Sequence, residues 1–160
     1  MGMKPKIYVE TSVISYLTAR ASRDFATVAR QEFSRQWWDR RGETYQVSIS
    51  TLVLQEISKG DVNAASRRLA VCEGLDCLRV DRRAIELARR LLADGMIPKT
   101  EAEDALHIAL ATTSRMDYIA SWNFAHLVGP GPKFRLQTHL AKLGFARPLL
   151  ATPEELLEVL

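Results

Sequence analysis

The chain has 160 residues, which suits one domain, and its 47% apolar and 26% charged fractions are those of an ordinary globular protein. With 8 Gly and 6 Pro it is neither collagen-like nor of low complexity, and a formal charge of +3 with a pI of about 9.0 permits a polyanionic partner without requiring one. The longest near-apolar run, Ala105–Thr112, is far short of the about 20 residues that span a bilayer, and the opening residues pass into Ile7-Tyr8-Val9 without a signal-peptide core, so the expectation is a cytoplasmic protein with no membrane association.

Lys6–Val9 is rich in β-branched and aromatic residues and predicts a strand. The hydroxyls of Thr11 and Ser12 are expected to cap a helix over Val13–Ala19. Asp24 caps a second helix reaching Arg41, with Phe25, Val28, Ala29, Phe33 and Trp37 as its expected apolar face. Tyr45–Ile49 alternates like a strand, and Ser50 or Thr51 opens a helix over Leu52–Ile57. Asn63–Cys72 is helical, Leu75–Val80 extended, and Asp81 caps a helix whose apolar positions Ile85, Leu87, Ala88, Leu91 and Leu92 run to Gly95.

Thr100 and Glu103 fit a capping box at the head of a helix through Ala111, apolar nearly all round and therefore expected to be buried. A strand over Asp117–Ser121, a helix over Phe134–Leu143, a strand over Pro148–Ala151 and a second capping box at Thr152 complete the chain. Strands separated by helices require crossovers and a mainly parallel sheet covered on both faces. The predicted fold is therefore α/β, a single three-layer α/β/α domain over residues 3–160. Cys72 and Cys77 make no disulfide framework, and their spacing is looser than CxxC, so both read as ordinary thiols.

In an open α/β sheet, ligands bind outside the carboxyl ends of the strands. Glu10 follows the first strand and Asn123 the fourth, so both reach one crevice if those strands are parallel neighbours, although a polar loop residue is ordinarily just solvated. Asp104 lies in the first turns of a helix built for burial, and a buried carboxylate needs a partner, a metal or a raised pKa. Glu103 is assigned to the capping box. Glu56 is surrounded by apolar residues on the helix after the second strand. Clustered carboxylates repel unless a cation sits among them, and hard oxygen donors suit Mg²⁺ or Mn²⁺. His107 reads as a core histidine satisfied by a backbone group, and His126 and His139 as structural or surface residues. Trp122 and Phe124 read as core residues, with base stacking as the alternative. The paired arginines, such as Arg67-Arg68, Arg82-Arg83 and Arg89-Arg90, read mostly as solvated helix faces.

Four segments in order, Tyr8–Leu17, Ser50–Ile57, Glu103–Ala111 and Ser121–Leu127, resemble the four motifs of a PIN-domain ribonuclease of the VapC toxin type, across roughly residues 6 to 150. The resemblance implies a metal-dependent endoribonuclease that hydrolyses RNA to 5′-phosphate and 3′-hydroxyl products, the toxin of a toxin–antitoxin pair. By position it implies Glu10, Glu56 and Asp104 as ligands of Mg²⁺ or Mn²⁺ and, with Asn123, as the catalytic set. It further implies Thr11, Ser12 and Ser121 as supporting residues, with helix capping as the alternative role of Thr11 and Ser12. It also implies an RNA substrate, an antitoxin partner and a homodimer. The family usually carries Asp at the first position and often at the fourth. Glu10 is one methylene longer, and Asn123 brings no charge and would position water or phosphate, which leaves three carboxylates for the metal. The alternative is a PIN-fold protein without turnover that binds nucleic acid or a partner. An enzyme of a small phosphorylated ligand is disfavoured, since no GxGxxG or P-loop glycine pattern follows any strand.

Overall fold

The computed structural model describes residues 2–124, 130–146 and 148–158. His126 and residues 125–127 of the fourth motif lie outside the described residues. Ile7, Tyr8 and Val9 have no exposed surface, and this continuous apolar run forms strand β1 (Lys6–Val9) at the centre of a parallel sheet. Strand β2 (Gln46–Ser50) pairs with one edge of β1 and β4 (Tyr118–Ala120) with the other; β3 (Asp76–Leu78) and β5 (Leu149–Ala151) lie outermost. The order is β3-β2-β1-β4-β5 and every described pairing is parallel. The registers Tyr8 to Ser48 and Tyr8 to Ile119 bring the carboxyl ends of β1, β2 and β4 to one edge.

Helices α1 (Thr11–Thr18), α2 (Phe25–Thr44), α3 (Thr51–Ile57), α4 (Val62–Val71), α5 (Arg82–Ala93), α6 (Ala102–Thr113), α7 (Pro130–Lys142) and α8 (Pro153–Leu157) connect and cover the sheet. Side-chain oxygens of Asp24, Ser50, Asp61 and Asp81 accept from the N3 amides of α2, α3, α4 and α5. The capping box at Thr152 forms in full, with Pro153 at the first position of α8. Ala84, Leu87, Ala88 and Leu91 make the buried stripe of α5, which packs against α6, where Ala105, Ile108 and Ala109 are buried. Gly95, at φ +71, closes α5 as Met96 donates to the Leu91 carbonyl, turning the chain towards α6.

Three expectations need correction. The first half of α2 does not face the core: Phe25 is 92% exposed, Val28 42%, and Ala29 is exposed as well. The buried positions of that helix are Gln31, Ser34, Trp37 and Trp38. Gln31 and Ser34 replace apolar neighbours because their side chains bond the Arg20 carbonyl and the Trp122 indole. Ile85 likewise points outward, with Ala84 taking the core position. The capping box at Thr100 does not form: Lys99–Glu101 is a 3₁₀ turn, and α6 starts at Ala102 behind Glu101, whose side chain makes no capping bond. Cys72 is buried and Cys77 exposed, both as free thiols.

Candidate active site

Glu10 leaves the end of β1 with only 2% of its surface exposed, its amide bonded to the Ala120 carbonyl of β4. A carboxylate in such a place needs donors, and three converge on Oε2: the Ser12 amide at 3.1 Å, the Ser12 hydroxyl at 2.5 Å and the Ser121 hydroxyl at 2.7 Å. Glu10 is itself the N-cap of α1. The expected capping by Thr11 and Ser12 is therefore wrong, because a carboxylate one residue upstream reaches the same amide and frees both hydroxyls. The Ser12 hydroxyl oxygen accepts the Trp122 amide at 2.9 Å and that of Ser121 accepts the Asn123 amide at 3.0 Å. The exit of β4 is thus tied to Glu10 through two serines.

Thr11 donates instead to Glu56 Oε1 at 2.9 Å, and His107 Nε2 lies 2.6 Å from the same oxygen. Burial raises the Glu56 pKa, but the His107 hydrogen bond and charge, with Thr11, outweigh it, so the carboxyl lies below its usual range. The other ring nitrogen, His107 Nδ1, lies 2.7 Å from the Tyr8 hydroxyl, which in turn is 2.8 Å from Ser50 Oγ. His107 is therefore buried as expected, yet its partners are two side chains and not a backbone group. Burial also pushes the Tyr8 phenol well above its ordinary value, so it stays protonated.

Asp104 sits in the first turn of α6, half-buried. Burial pushes its carboxyl up to about 6, and the charges of Glu10, Glu101 and Glu56 act in the same direction while His107 opposes them. A cavity of about 400 Å³ joins these groups, lined by Glu10, Thr11, Glu56, Thr100, Glu101, Ala102, Glu103, Asp104 and Asn123. All four residues of the expected catalytic set border it, Asn123 from an exposed position. Among the described residues, its lining includes no Lys or Arg. A larger cavity of about 680 Å³ lies at the opposite edge of the sheet, beside Lys4, Lys6, Arg115 and Asp117, away from every carboxylate of this cluster.

Two lining carboxylates were missed from sequence. Glu101 adds to the field on Asp104, and Glu103, read as a capping-box member, stands close enough to Glu56 to share a hydrogen bond with it. The signal was present, since Glu101, Glu103 and Asp104 follow one another before an apolar helix, but the capping pattern accounted for Glu103 first. Trp122 and Phe124 follow the core reading: Phe124 is buried, and Trp122 donates its indole N–H to Ser34 with Arg30 5.5 Å over its ring. His139 pairs with Asp94 at 2.7 Å, away from this lining. Arg68 donates to the Ile57 and Lys59 carbonyls, and Arg90 pairs with Asp94.

As donors for an ion, the lining offers oxygen alone, in several carboxylates whose mutual repulsion is registered at Asp104. Among the described residues, no three carboxylate, imidazole or thiol groups stand close enough to enclose one ion. That donor set fits Mg²⁺ or Mn²⁺, hard ions for which one or two carboxylates and retained waters suffice, and it does not fit a closed zinc site.

No family model and no curated protein matches the sequence. Solved structures do match. VapC20 of Mycobacterium tuberculosis, described as a Sarcin-Ricin loop cleaving toxin, superposes with a TM-score of 0.55 at 19% identity over 71% of this chain and 87% of its own. VapBC2 of Rickettsia felis, solved bound to a DNA fragment from its promoter, superposes with a TM-score of 0.58 at 12% identity over 91% of this chain and 97% of the matched chain. The chain has the fold of VapC-type PIN domains. None of its described helices is long and apolar enough to cross a membrane.

Proposed function

We propose that this chain is a Mg²⁺- or Mn²⁺-dependent endoribonuclease, the cytoplasmic toxin of a toxin–antitoxin pair, acting as a homodimer. The observation that carries the reading is the acidic crevice at the carboxyl edge of a parallel sheet, in a fold shared with a VapC toxin described as Sarcin-Ricin loop cleaving. The VapBC2 neighbour supports an antitoxin as partner.

In this reading Glu10, Glu56 and Asp104 surround the place where the ion would be held, by one or two of these carboxylates and retained waters, and when bound it would supply an activated water and neutralise charge on the phosphodiester. Glu10 brings a carboxylate fixed on one oxygen by three donors, at no cost of reorganisation when substrate arrives. Glu56 is held ionised by His107 and Thr11 and is ready to ligate at neutral pH. Asp104, its carboxyl raised to about 6, would have to be deprotonated to ligate, so affinity would fall as pH drops through about 6. Asn123, exposed at the rim, offers an amide to the substrate phosphate or to a water without adding charge that would repel RNA. No side chain is required as a covalent nucleophile.

The test is cleavage of labelled single-stranded and structured RNAs with Mg²⁺, Mn²⁺ or EDTA, beside Asp104→Asn prepared identically. EDTA-sensitive cutting that the variant lacks is the expected result. Equal cutting by both proteins would overturn the site, and a folded protein that cuts nothing with either metal would transfer the reading to a PIN-fold binding protein.

A further inference from the structure

A hydrogen-bonded chain runs from the β2–α3 junction to the crevice through residues distant in sequence. Ser50 Oγ accepts the Val53 amide at 3.1 Å and lies 2.8 Å from the Tyr8 hydroxyl, which lies 2.7 Å from His107 Nδ1; His107 Nε2 reaches Glu56 at 2.6 Å. Ser50 and Tyr8 have no exposed surface, and His107 has 1%.

The polarity of the chain follows from its ends. An ionised carboxylate only accepts, so the ring proton facing Glu56 sits on Nε2. In the neutral ring Nδ1 is then an acceptor, which takes the Tyr8 O–H; the Tyr8 oxygen takes the Ser50 O–H; and the Ser50 oxygen takes the Val53 N–H. For the neutral ring this assignment satisfies every member, and a protonated ring would keep the same Nε2–H on Glu56. The opposite tautomer would place two lone pairs against each other at Glu56. With His107 and Thr11 both donating to Oε1, these bonds restrict rotation of the carboxylate and leave Oε2 outside their reach.

We infer that His107 is a positioning residue for Glu56, locked in its Nε2–H tautomer by Tyr8 and Ser50, so that Glu56 offers one defined oxygen to the ion in the crevice. The inference rests on the metal-dependent reading proposed above. It assigns function to Tyr8 and Ser50, which border no part of the crevice. Imidazoles that orient ligands from outside the first coordination sphere follow the same logic, and losing such a partner typically costs about 10–100-fold in metal affinity.

Mn²⁺ titration by calorimetry and by electron paramagnetic resonance tests it in the full chain, at one fixed pH, with melting curves as a control for folding. His107→Leu is expected to weaken Mn²⁺ binding about 10–100-fold. His107→Gln, whose amide N–H occupies nearly the place of Nε2–H, recovers much of that loss. Tyr8→Phe, which removes one oxygen and keeps the ring, gives a smaller loss of the same sign without unfolding. In the metal-free wild type, ¹⁵N NMR should find the His107 proton on Nε2. Affinity within about twofold of wild type in folded His107→Leu, no recovery in His107→Gln, or a ring proton on Nδ1 would each overturn the inference while leaving the nuclease reading intact. A wild type that binds no Mn²⁺ would overturn both.

Discussion

Replacing Asp104 by Asn removes a charge from the crevice and nearly preserves shape. In the folded protein its carboxyl is raised from 3.8 to about 6, through burial first and then the neighbouring carboxylates. A group whose folded pKa lies above its unfolded one binds more protons when folded, so the metal-free protein loses stability as pH rises from about 4 through about 6 and regains it on acidification. At 1.36 kcal/mol per pH unit the displacement corresponds to about 3 kcal/mol above that window. Asp104 is only half-buried, so solvent screening reduces this to roughly 1 kcal/mol. Asp104→Asn should accordingly raise the melting temperature of the EDTA-treated protein by about 2–4 °C at about pH 7.5, and the advantage should vanish near pH 4. Scanning calorimetry across that range reads both effects. A variant that melts below wild type at pH 7.5, or a difference constant with pH, would refute the electrostatic argument and make Asp104 a structural residue.

Saturating Mn²⁺ should stabilise wild type by about 2.7 kcal/mol at one hundred times its dissociation constant and leave Asp104→Asn little changed, as read by melting curves with and without EDTA. Glu103→Gln should weaken Mn²⁺ binding less than Asp104→Asn does, since it lies at the mouth of the crevice beside Glu56; equal effects in calorimetric titration would promote it to a ligand. Ile108→Ala, fully buried in α6, should cost about 2–5 kcal/mol in urea unfolding. Half-buried Leu106→Ala should cost about 1–2 kcal/mol, because only part of its side chain leaves water on folding. Thr152→Ala should lower stability by about 1 kcal/mol through loss of the capping box.

The elements that carry the site were legible because each has a local cause. Ile7-Tyr8-Val9 had to be a buried strand, Asp81 and Thr152 announced the helices they cap, and alternating strands and helices implied the parallel sheet. The placement of Glu10, Glu56, Asp104 and Asn123 around one crevice followed from that topology and from the ordered motifs. Local rules failed where one residue had two uses. Glu10 took the cap that Thr11 and Ser12 were expected to provide, and Glu103 served the crevice in place of a capping box. Phe25 and Val28 fit a helical stripe, yet the periodicity of α2 does not say which side meets the core, and tertiary bonds to Gln31 and Ser34 decided it. The partners of His107 belong to β1 and α3, and no local window contains them.

The parallel pairing of the described strands has a consequence for how the molecule is made. Glu10 meets Ser121 across 111 positions of chain, and Tyr8 meets His107 across 99. No hairpin brings any two of these groups together early, and such high contact order places their meeting late in folding. A growing chain on the ribosome therefore carries Glu10 and Glu56 long before β4 exists to seat them. Whatever the crevice does begins only when the sheet closes, so synthesis itself delays the first appearance of its chemistry.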